Sequence, residues 1–169
     1  DNTSLQELGG KDKSINLVRI GVGASNNTSS TVLGGSSALG VATTASVNNT
    51  AIGAATLAKT TSGGHNTAVG NSALINNTTG ERNSSVGTQS GYANSTGKGN
   101  SYLGNLAAYD NGLGSYNVAL GYRTMAIAST GYVNGGSTIN MNNNVFIGSS
   151  IMPSAAVSDT LAIDNKGVT

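Results

Sequence analysis

Charged and aromatic residues are scarce in this sequence, and cysteine is absent. Only 9% of the 169 residues are charged and 4% are aromatic, while 25 are glycine. A chain of this length normally folds as one globular domain, but this composition argues against a packed globular core. Because there is no cysteine, neither disulfide bonds nor thiolate metal sites stabilise the chain.

The few charges are scattered, with a net charge of +1 and no basic run. Nucleic-acid binding needs clustered Lys and Arg to meet phosphates, so nucleic acid is not an expected partner. No apolar stretch approaches the roughly 20 residues that cross a bilayer. No metal site and no cofactor are expected from the sequence.

A 17-residue repeat is the dominant feature that is present. Each of five consecutive copies opens with an asparagine, carries a glycine at the fifth position and closes with a second glycine. Looser copies lie around Gly21, Gly34 and Gly148. A fixed short period predicts a stacked repeat architecture. The fifth-position glycines are Gly53, Gly70, Gly87, Gly104 and Gly121.

The repeat predicts an all-β fold, a β-solenoid or β-roll of 17-residue rungs. Each copy is rich in Thr, Ser and Asn, which are weak helix formers, and no helical apolar stripe survives. A short strand "NTAVG", a turn, a second extended piece "SALIN" and a turn "NTTG" would form one rung. Eight rungs at about 4.8 Å each would give a rod roughly 40 Å long.

Two adjacent columns of the repeat predict the two faces of the strand. The fourth position is always Ile, Leu or Val, as in Ile52, Val69 and Val86, and is predicted to be buried. The third position varies from Ala68 to Tyr102 and is predicted to face a neighbouring chain or water, because successive strand residues alternate.

Three apolar residues later in the rung, Leu57, Leu74 and Met125, predict a second inner file, which Gly91 and Ala108 interrupt. The opening asparagines are predicted to stack about 4.8 Å apart and to hydrogen-bond as a ladder. The two glycines of each rung predict two sharp bends, since glycine adopts positive φ without strain.

A rung of this composition buries few apolar groups. The stabilisation from this burial is smaller than the conformational-entropy cost of ordering the backbone of the rung. Hydrogen bonds between rungs add a modest net stabilisation. We therefore expect an obligate oligomer, in which partner chains supply further burial.

The phrases "NNTAIGAATL", "NTAVGNSALINNTTG", "NSYLGNLAAY" and "NVALGYRTM" resemble the Asn-Thr-Ala-Ile-Gly repeats of bacteriophage tail-fibre shafts and tips. They are more distantly similar to the head repeats of trimeric autotransporter adhesins. The resemblance covers roughly residues 45–165. It implies a parallel homotrimer in an extracellular virion tail fibre, joined to other fibre segments. Its implied partner is a host-surface glycan or lipopolysaccharide.

The spacing divides the chain into three parts. Residues 1–44 are predicted as irregular N-terminal rungs or a segment leading into the coil, and residues 45–131 as regular repeats. Residues 132–169 are predicted as an inserted loop, a last rung and an exit segment. The spacing from Gly121 to Gly148 is ten residues longer than one repeat, and the excess is predicted to leave the coil as a loop after Gly131.

The function expected is that of a non-enzymatic fibre segment that contacts the bacterial host surface. The alternative is a purely structural shaft or spacer of a fibre or bacterial adhesin, with its binding tip outside this chain. A glycan-cleaving enzyme is disfavoured, because glycoside hydrolysis needs two carboxylates about 5 to 9.5 Å apart. The regular rungs contain only Glu81 and Asp110, in different columns.

Tyrosines and loop amides are the candidate receptor-binding groups. Tyrosine offers a sugar ring an apolar face and a hydroxyl, and loops carry recognition more often than the scaffold does. The predicted receptor-binding residues are Tyr92, Tyr109, Tyr122, Tyr132, Asn134 and Asn140.

Overall fold

A computed structural model describes residues 19–21, 30–34, 37–40, 46–126, 139–153 and 155–163. These residues form nine short strands joined by turns, and they contain no helix. Strands β2 to β9 form one parallel sheet in sequence order, which makes the chain a β-solenoid of about seven turns. The strands are β1 Arg19–Gly21, β2 Thr31–Gly34, β3 Thr50–Ile52, β4 Thr67–Val69, β5 Ser84–Val86, β6 Ser101–Leu103, β7 Val118–Leu120, β8 Val145–Ile147 and β9 Leu161–Ile163.

The 17-residue period is confirmed as the length of one rung. Strand residues pair with their equivalents one repeat later, as in Thr50 with Thr67. The turns are linked in the same way, since the backbone N–H of Leu57 donates to the carbonyl oxygen of Ala73 in the next rung at 3.1 Å. Neighbouring rungs therefore share hydrogen bonds around the coil and not only through the sheet.

The first loose copy of the repeat is not a rung. Strand β1 runs antiparallel to β2 and places Arg19 opposite Gly34. Residues 22–30 separate the two strands, too few for a 17-residue turn that would return the chain in parallel. The expectation of a rung at Gly21 is thus wrong, although Ile20 does lie opposite Leu33.

The second strand predicted in each rung is also missing from the described coil. The stretch "SALIN" is a turn, in which Ser72 and Leu74 adopt φ angles of +57° and +49°. The Ser72 N–H donates to the carbonyl of Ala54 in the preceding rung at 2.9 Å, and the Leu74 N–H donates to that of Ser90 in the following rung at 3.0 Å. Residues with left-handed backbone conformation thus form hydrogen bonds to both neighbouring rungs here without a strand.

The assignment of the two strand faces is wrong. The third position of the repeat, which is the middle residue of each of these strands, points into the coil, and the branched aliphatic residue at the fourth position of the repeat points outward. At this position the interior of the coil accepts a small residue such as Ala68 and also large side chains such as Tyr102 and Phe146. The buried third-position residues are Val32, Ala51, Ala68, Ser85, Tyr102, Ala119 and Phe146.

The second inner file is confirmed, because Leu57, Leu74 and Met125 are fully buried. Its interruption at Gly91 makes room for Tyr102. A Cβ added at Gly91 would lie 2.8 Å from a ring carbon of Tyr102 and 2.8 Å from a methyl carbon of Leu74. The Tyr102 hydroxyl accepts a hydrogen bond from Asn111 Nδ2 at 2.9 Å. Burial raises the pKa of Tyr102 well above its ordinary value.

The asparagine ladder is confirmed inside the coil. The Asn83 Oδ1 atom accepts from both the backbone N–H and the Nδ2 of Asn100, each at 3.0 Å. The Asn83 Nδ2 donates to Asn66 Oδ1 at 3.1 Å and to the carbonyl of Gly97 at 2.8 Å. The Asn83 side chain therefore hydrogen-bonds to the rung before it and to the rung after it, and it also bonds to the Gly97 carbonyl within its own rung. The ladder consists of Asn49, Asn66, Asn83, Asn100, Asn117 and Asn144.

Only one of the two glycine columns provides the predicted bend. Gly70 adopts a φ of +131°, and a Cβ there would lie 2.5 Å from the carbonyl oxygen of Gly87. Gly80, in the closing column, has no positive φ; a Cβ there would lie 2.5 Å from the carbonyl oxygen of Gly97. The closing glycines are thus required for close approach of the rungs rather than for a bend.

The coil resumes earlier than the repeat spacing predicted. The carbonyl of Ile139 accepts from the Gly112 N–H at 3.1 Å, and Met141 is fully buried. Asn144 then continues the ladder through its N–H to Asn117 Oδ1 at 3.0 Å. The ten extra residues therefore belong to 127–138, outside the described residues, and the loop predicted after Gly131 does not include residues 139–144.

Candidate functional site

One face of the coil presents exposed aliphatic side chains. They lie at the fourth position of the repeat, in the parallel strands. Leu103 is 53% exposed there, and its neighbours in the adjacent strands are exposed or half-exposed. We call this column the outer aliphatic file. It consists of Leu33, Ile52, Val69, Val86, Leu103, Leu120, Ile147 and Ile163.

The residue at the second position of the repeat, which begins each strand, points to the same side as the outer aliphatic file. The polarity of this residue changes along the coil. This residue is Thr or Ser in β2 to β6 and Val or Leu in β7 to β9. We call these two columns together the sheet face. It carries no charged residue in β2 to β9, and its last three strands are apolar in both columns.

Two of the predicted receptor-binding tyrosines lie against each other. The rings of Tyr92 and Tyr109 are stacked, with centroids 4.7 Å apart and an interplanar angle of 8°. Tyr109 is only 4% exposed and packs with Leu106 and Ala126. Its ring faces are therefore covered by protein, while part of Tyr92 remains accessible.

The other predicted receptor-binding residues are dispersed. Tyr122 is 53% exposed, at the turn after β7. Asn140 is exposed in the resumed coil, where its Oδ1 accepts from Asn142 Nδ2 at 2.9 Å. Tyr132 and Asn134 lie outside the described residues. The described members of the predicted set thus do not form one cluster.

Tyr116 was not among the predicted receptor-binding residues, although it is the most exposed of the tyrosines that the structure describes, at 66%. A Cβ added at Gly99 would lie 2.9 Å from one carbon of the Tyr116 ring and 3.0 Å from the next. The ring therefore lies over the bare backbone of Gly99. The available signal was the spacing, because Gly99 and Tyr116 are 17 residues apart and occupy the same column.

Charged side chains lie on the two rungs that precede Tyr116. Glu81 Oε2 lies 3.2 Å from Arg82 Nη1 and 3.5 Å from Lys98 Nζ. Both cations are largely exposed, so these ion pairs are weak structural contacts, worth about 0 to 1 kcal/mol each. We call Glu81, Arg82, Lys98, Gly99 and Tyr116 the aromatic corner. Backbone hydrogen bonds fix it, with the N–H of Tyr116 donating to the carbonyl of Lys98 at 2.9 Å.

The two carboxylates of the regular rungs differ in environment. Glu81 is in the partly exposed aromatic corner, whereas Asp110 is buried on another side of the coil. Among the described residues, no three His, Cys, Asp or Glu side chains gather as metal ligands. The same residues include no helix of the length and apolarity needed to span a bilayer.

Comparison of the chain with protein-family models, curated proteins and solved structures gives no match. The sheet face and the aromatic corner therefore carry the functional argument.

Proposed function

We propose that this chain is a segment of a non-enzymatic, parallel homotrimeric fibre of the phage tail-fibre kind, which contacts the surface of a bacterial host. The observation that supports the proposal is the outer aliphatic file, which a single chain leaves in contact with water along the length of the coil.

The sheet face has the dimensions of an interaction surface. Eight strands about 4.8 Å apart make it roughly 35 to 40 Å long, and a width near 10 Å gives an area of roughly 350 to 400 Å². The outer aliphatic file runs along this whole length, and contiguous exposed apolar surface commonly marks interaction sites. Because every rung adds one aliphatic side chain to the outer aliphatic file, identical parallel chains can bring equivalent rungs together around one axis. The number of three chains comes from the resemblance to tail-fibre repeats.

The absence of enzymatic activity is part of the proposal. Glu81 and Asp110 differ in column and burial, which does not suit the two facing carboxylates of a glycosidase. A rigid coil with exposed tyrosine and polar turns suits attachment to an extracellular glycan or lipopolysaccharide. If the chain were only a shaft or spacer, the same trimer would form without binding the host surface.

The assembly is tested by sedimentation of the chain and of variants on two sides of the coil. The wild-type chain should sediment at three times its mass of 16.7 kDa. The double substitution of Val86→Glu and Leu103→Glu places charges on the sheet face and should give smaller species, because an interface desolvates each charge at a cost of several kcal/mol. Thr88→Glu, at an exposed position outside that face, is the matched control and should leave the trimer intact.

A folded wild-type monomer at micromolar concentration would contradict the trimer. Attachment is then tested by adding the labelled trimer to a panel of bacterial cells and to their purified lipopolysaccharides. Saturable binding to some of them supports receptor contact. Binding to none, with the trimer intact, would favour the spacer function.

A further inference from the structure

The ring of Tyr116 is held as a flat platform at the surface. It rests on Gly99, the only place in the described part of its column where an adjacent rung has no side chain, and more than half of it stays in contact with solvent. The backbone of Gly99 therefore supports one side of the ring, while Tyr116 remains 66% exposed.

Arg82 lies in the same column as Gly99 and Tyr116. It is two rungs before Tyr116, and Gly99 lies on the rung between them. Since rungs are about 4.8 Å apart, the backbones of Arg82 and Tyr116 are separated by roughly 10 Å. Lys98 lies on the intervening rung, adjacent to Gly99. Tyr116, Lys98 and Arg82 thus lie on three successive rungs that span roughly 10 Å along the coil, comparable with the length of a sugar ring and one attached acidic group.

Glu81 does not use up the hydrogen-bonding capacity of the cations. It contacts Nη1 of Arg82 and Nζ of Lys98. A guanidinium has five N–H donors and an ammonium has three. The remaining donors of these exposed side chains suit a carboxylate or a phosphate, which form strong charge-assisted hydrogen bonds.

We propose that the aromatic corner is a binding site for an anionic glycan. The Tyr116 ring stacks on a sugar ring, while Arg82 and Lys98 bind the carboxylate or phosphate that the glycan carries. This inference rests on the proposed function and adds to it the site and the charge of the receptor. The aromatic corner lies at the turn that precedes the strands, outside the columns of the sheet face, so packing of sheet faces does not use its side chains.

The test measures binding of the intact wild-type assembly to three immobilised polysaccharides: polygalacturonic acid, phosphorylated dextran and plain dextran. Binding to one or both charged polymers is expected, and the preferred polymer tells whether carboxylate or phosphate is recognised. The affinity should fall with added salt, because the charges are exposed and the Debye length is only about 8 Å at 0.15 M.

Substitutions at two positions separate stacking from charge. Tyr116→Ala should weaken binding about tenfold by removing the platform, whereas Tyr116→Phe keeps the ring and should retain most of the affinity. Arg82→Gln should weaken binding to the charged polymers and reduce its dependence on salt. Leu113→Ala, an exposed position in the preceding turn, is the control and should bind like wild type with the same sedimentation.

Equal affinity for plain dextran, or equal losses in the Phe and Ala variants, would overturn the site as described. If neither charged polymer binds while the chain still attaches to host cells, the inference fails and the proposed function stands. If the charged polymers bind through Tyr116 but no cell does, the site is supported and host attachment is refuted.

Discussion

Removal of one asparagine from the ladder should unfold a large part of the coil. Asn83→Ala eliminates four hydrogen bonds, two donated by Asn83 Nδ2 and two accepted by Asn83 Oδ1. It also leaves the buried N–H of Asn100 without its acceptor. The unpaired Asn100 N–H costs about 1 to 3 kcal/mol and each of the other three lost bonds about 1 kcal/mol, so the loss is roughly 4 to 6 kcal/mol.

This loss is comparable with the whole stability of many domains, about 5 to 15 kcal/mol. For a chain of this size it corresponds to a fall in melting temperature of roughly 10 to 20 °C. Circular dichroism during thermal and urea unfolding measures it. Asn71→Ala is the control, since the exposed Asn71 side chain accepts only from Ser72 Oγ in the described structure, and a change below about 0.5 kcal/mol is expected.

Asn83→Asp tests the donor role separately from packing. The new carboxyl keeps an acceptor toward Asn100 but places its second oxygen near Asn66 Oδ1 and the Gly97 carbonyl, where the amide had donated. Burial and two facing acceptors favour the protonated acid, so its pKa in the folded state should rise above the ordinary value near 3.9. The folded variant then binds the proton more tightly than the unfolded chain.

The stability of Asn83→Asp should therefore be greatest below about pH 4 and fall as the pH rises through the raised folded pKa. Asn71→Asp, which is exposed, should show no such added dependence. If Asn83→Ala melted within 2 °C of wild type, roughly 1 kcal/mol or less, or if Asn83→Asp became more stable toward neutral pH, the ladder would not carry the stability assigned to it.

Three further perturbations probe the interior. The raised pKa of Tyr102 means that its neutral form contributes stability below about pH 10 that is lost as the pH rises, so Tyr102→Phe should flatten alkaline unfolding curves. Gly91→Ala should destabilise the coil by about 1 to 3 kcal/mol through overpacking and its φ of +61°, and a second substitution, Tyr102→Ala, should recover part of that loss in a double-mutant cycle. Ala68→Asp should prevent folding because the site is fully buried, whereas Val69→Asp should leave the rung folded and weaken assembly. Circular dichroism measures folding and sedimentation measures assembly, so together they distinguish the two outcomes. If both variants unfolded equally, the assignment of the strand faces would be refuted.

The sequence predicted those features that the repeat itself imposes on the backbone. A 17-residue interval predicts in-register rungs, and an invariant opening asparagine predicts a ladder, because both follow from stacking identical turns. The inner file through Leu57 and Leu74 was predictable for the same reason.

The strand faces could not be assigned by hydrophobicity alone. Ala68 is small and Val69 is branched, and the usual rule puts the larger apolar residue inside. In this coil the interior is narrow and the larger residue lies on the sheet face. The left-handed turns at residues such as Ala55 and Leu57 were equally hidden, since neither residue type favours positive φ.

The aromatic corner was missed because tyrosines were compared as single residues. Its signal was a relation between rungs, a glycine below an aromatic residue in the same column. Reading large and small residues vertically, one period apart, identifies the platform of Tyr116 on Gly99. The pair of Gly91 and Tyr102 needed the structure, because its members occupy different columns.

The coil described up to Ala126 continues in register from Ile139, which has a consequence for how such a protein can change. Met141 and Asn144 occupy the places that the period would have given to residues ten positions earlier, and the hydrogen bonds to the rung before them are kept. Extra chain length between Ala126 and Ile139 therefore leaves the register of the other rungs unchanged. The entropic cost of closing a longer connection grows only slowly with its length. This connection is a natural grafting point, where foreign sequence can be exchanged while the scaffold keeps its register.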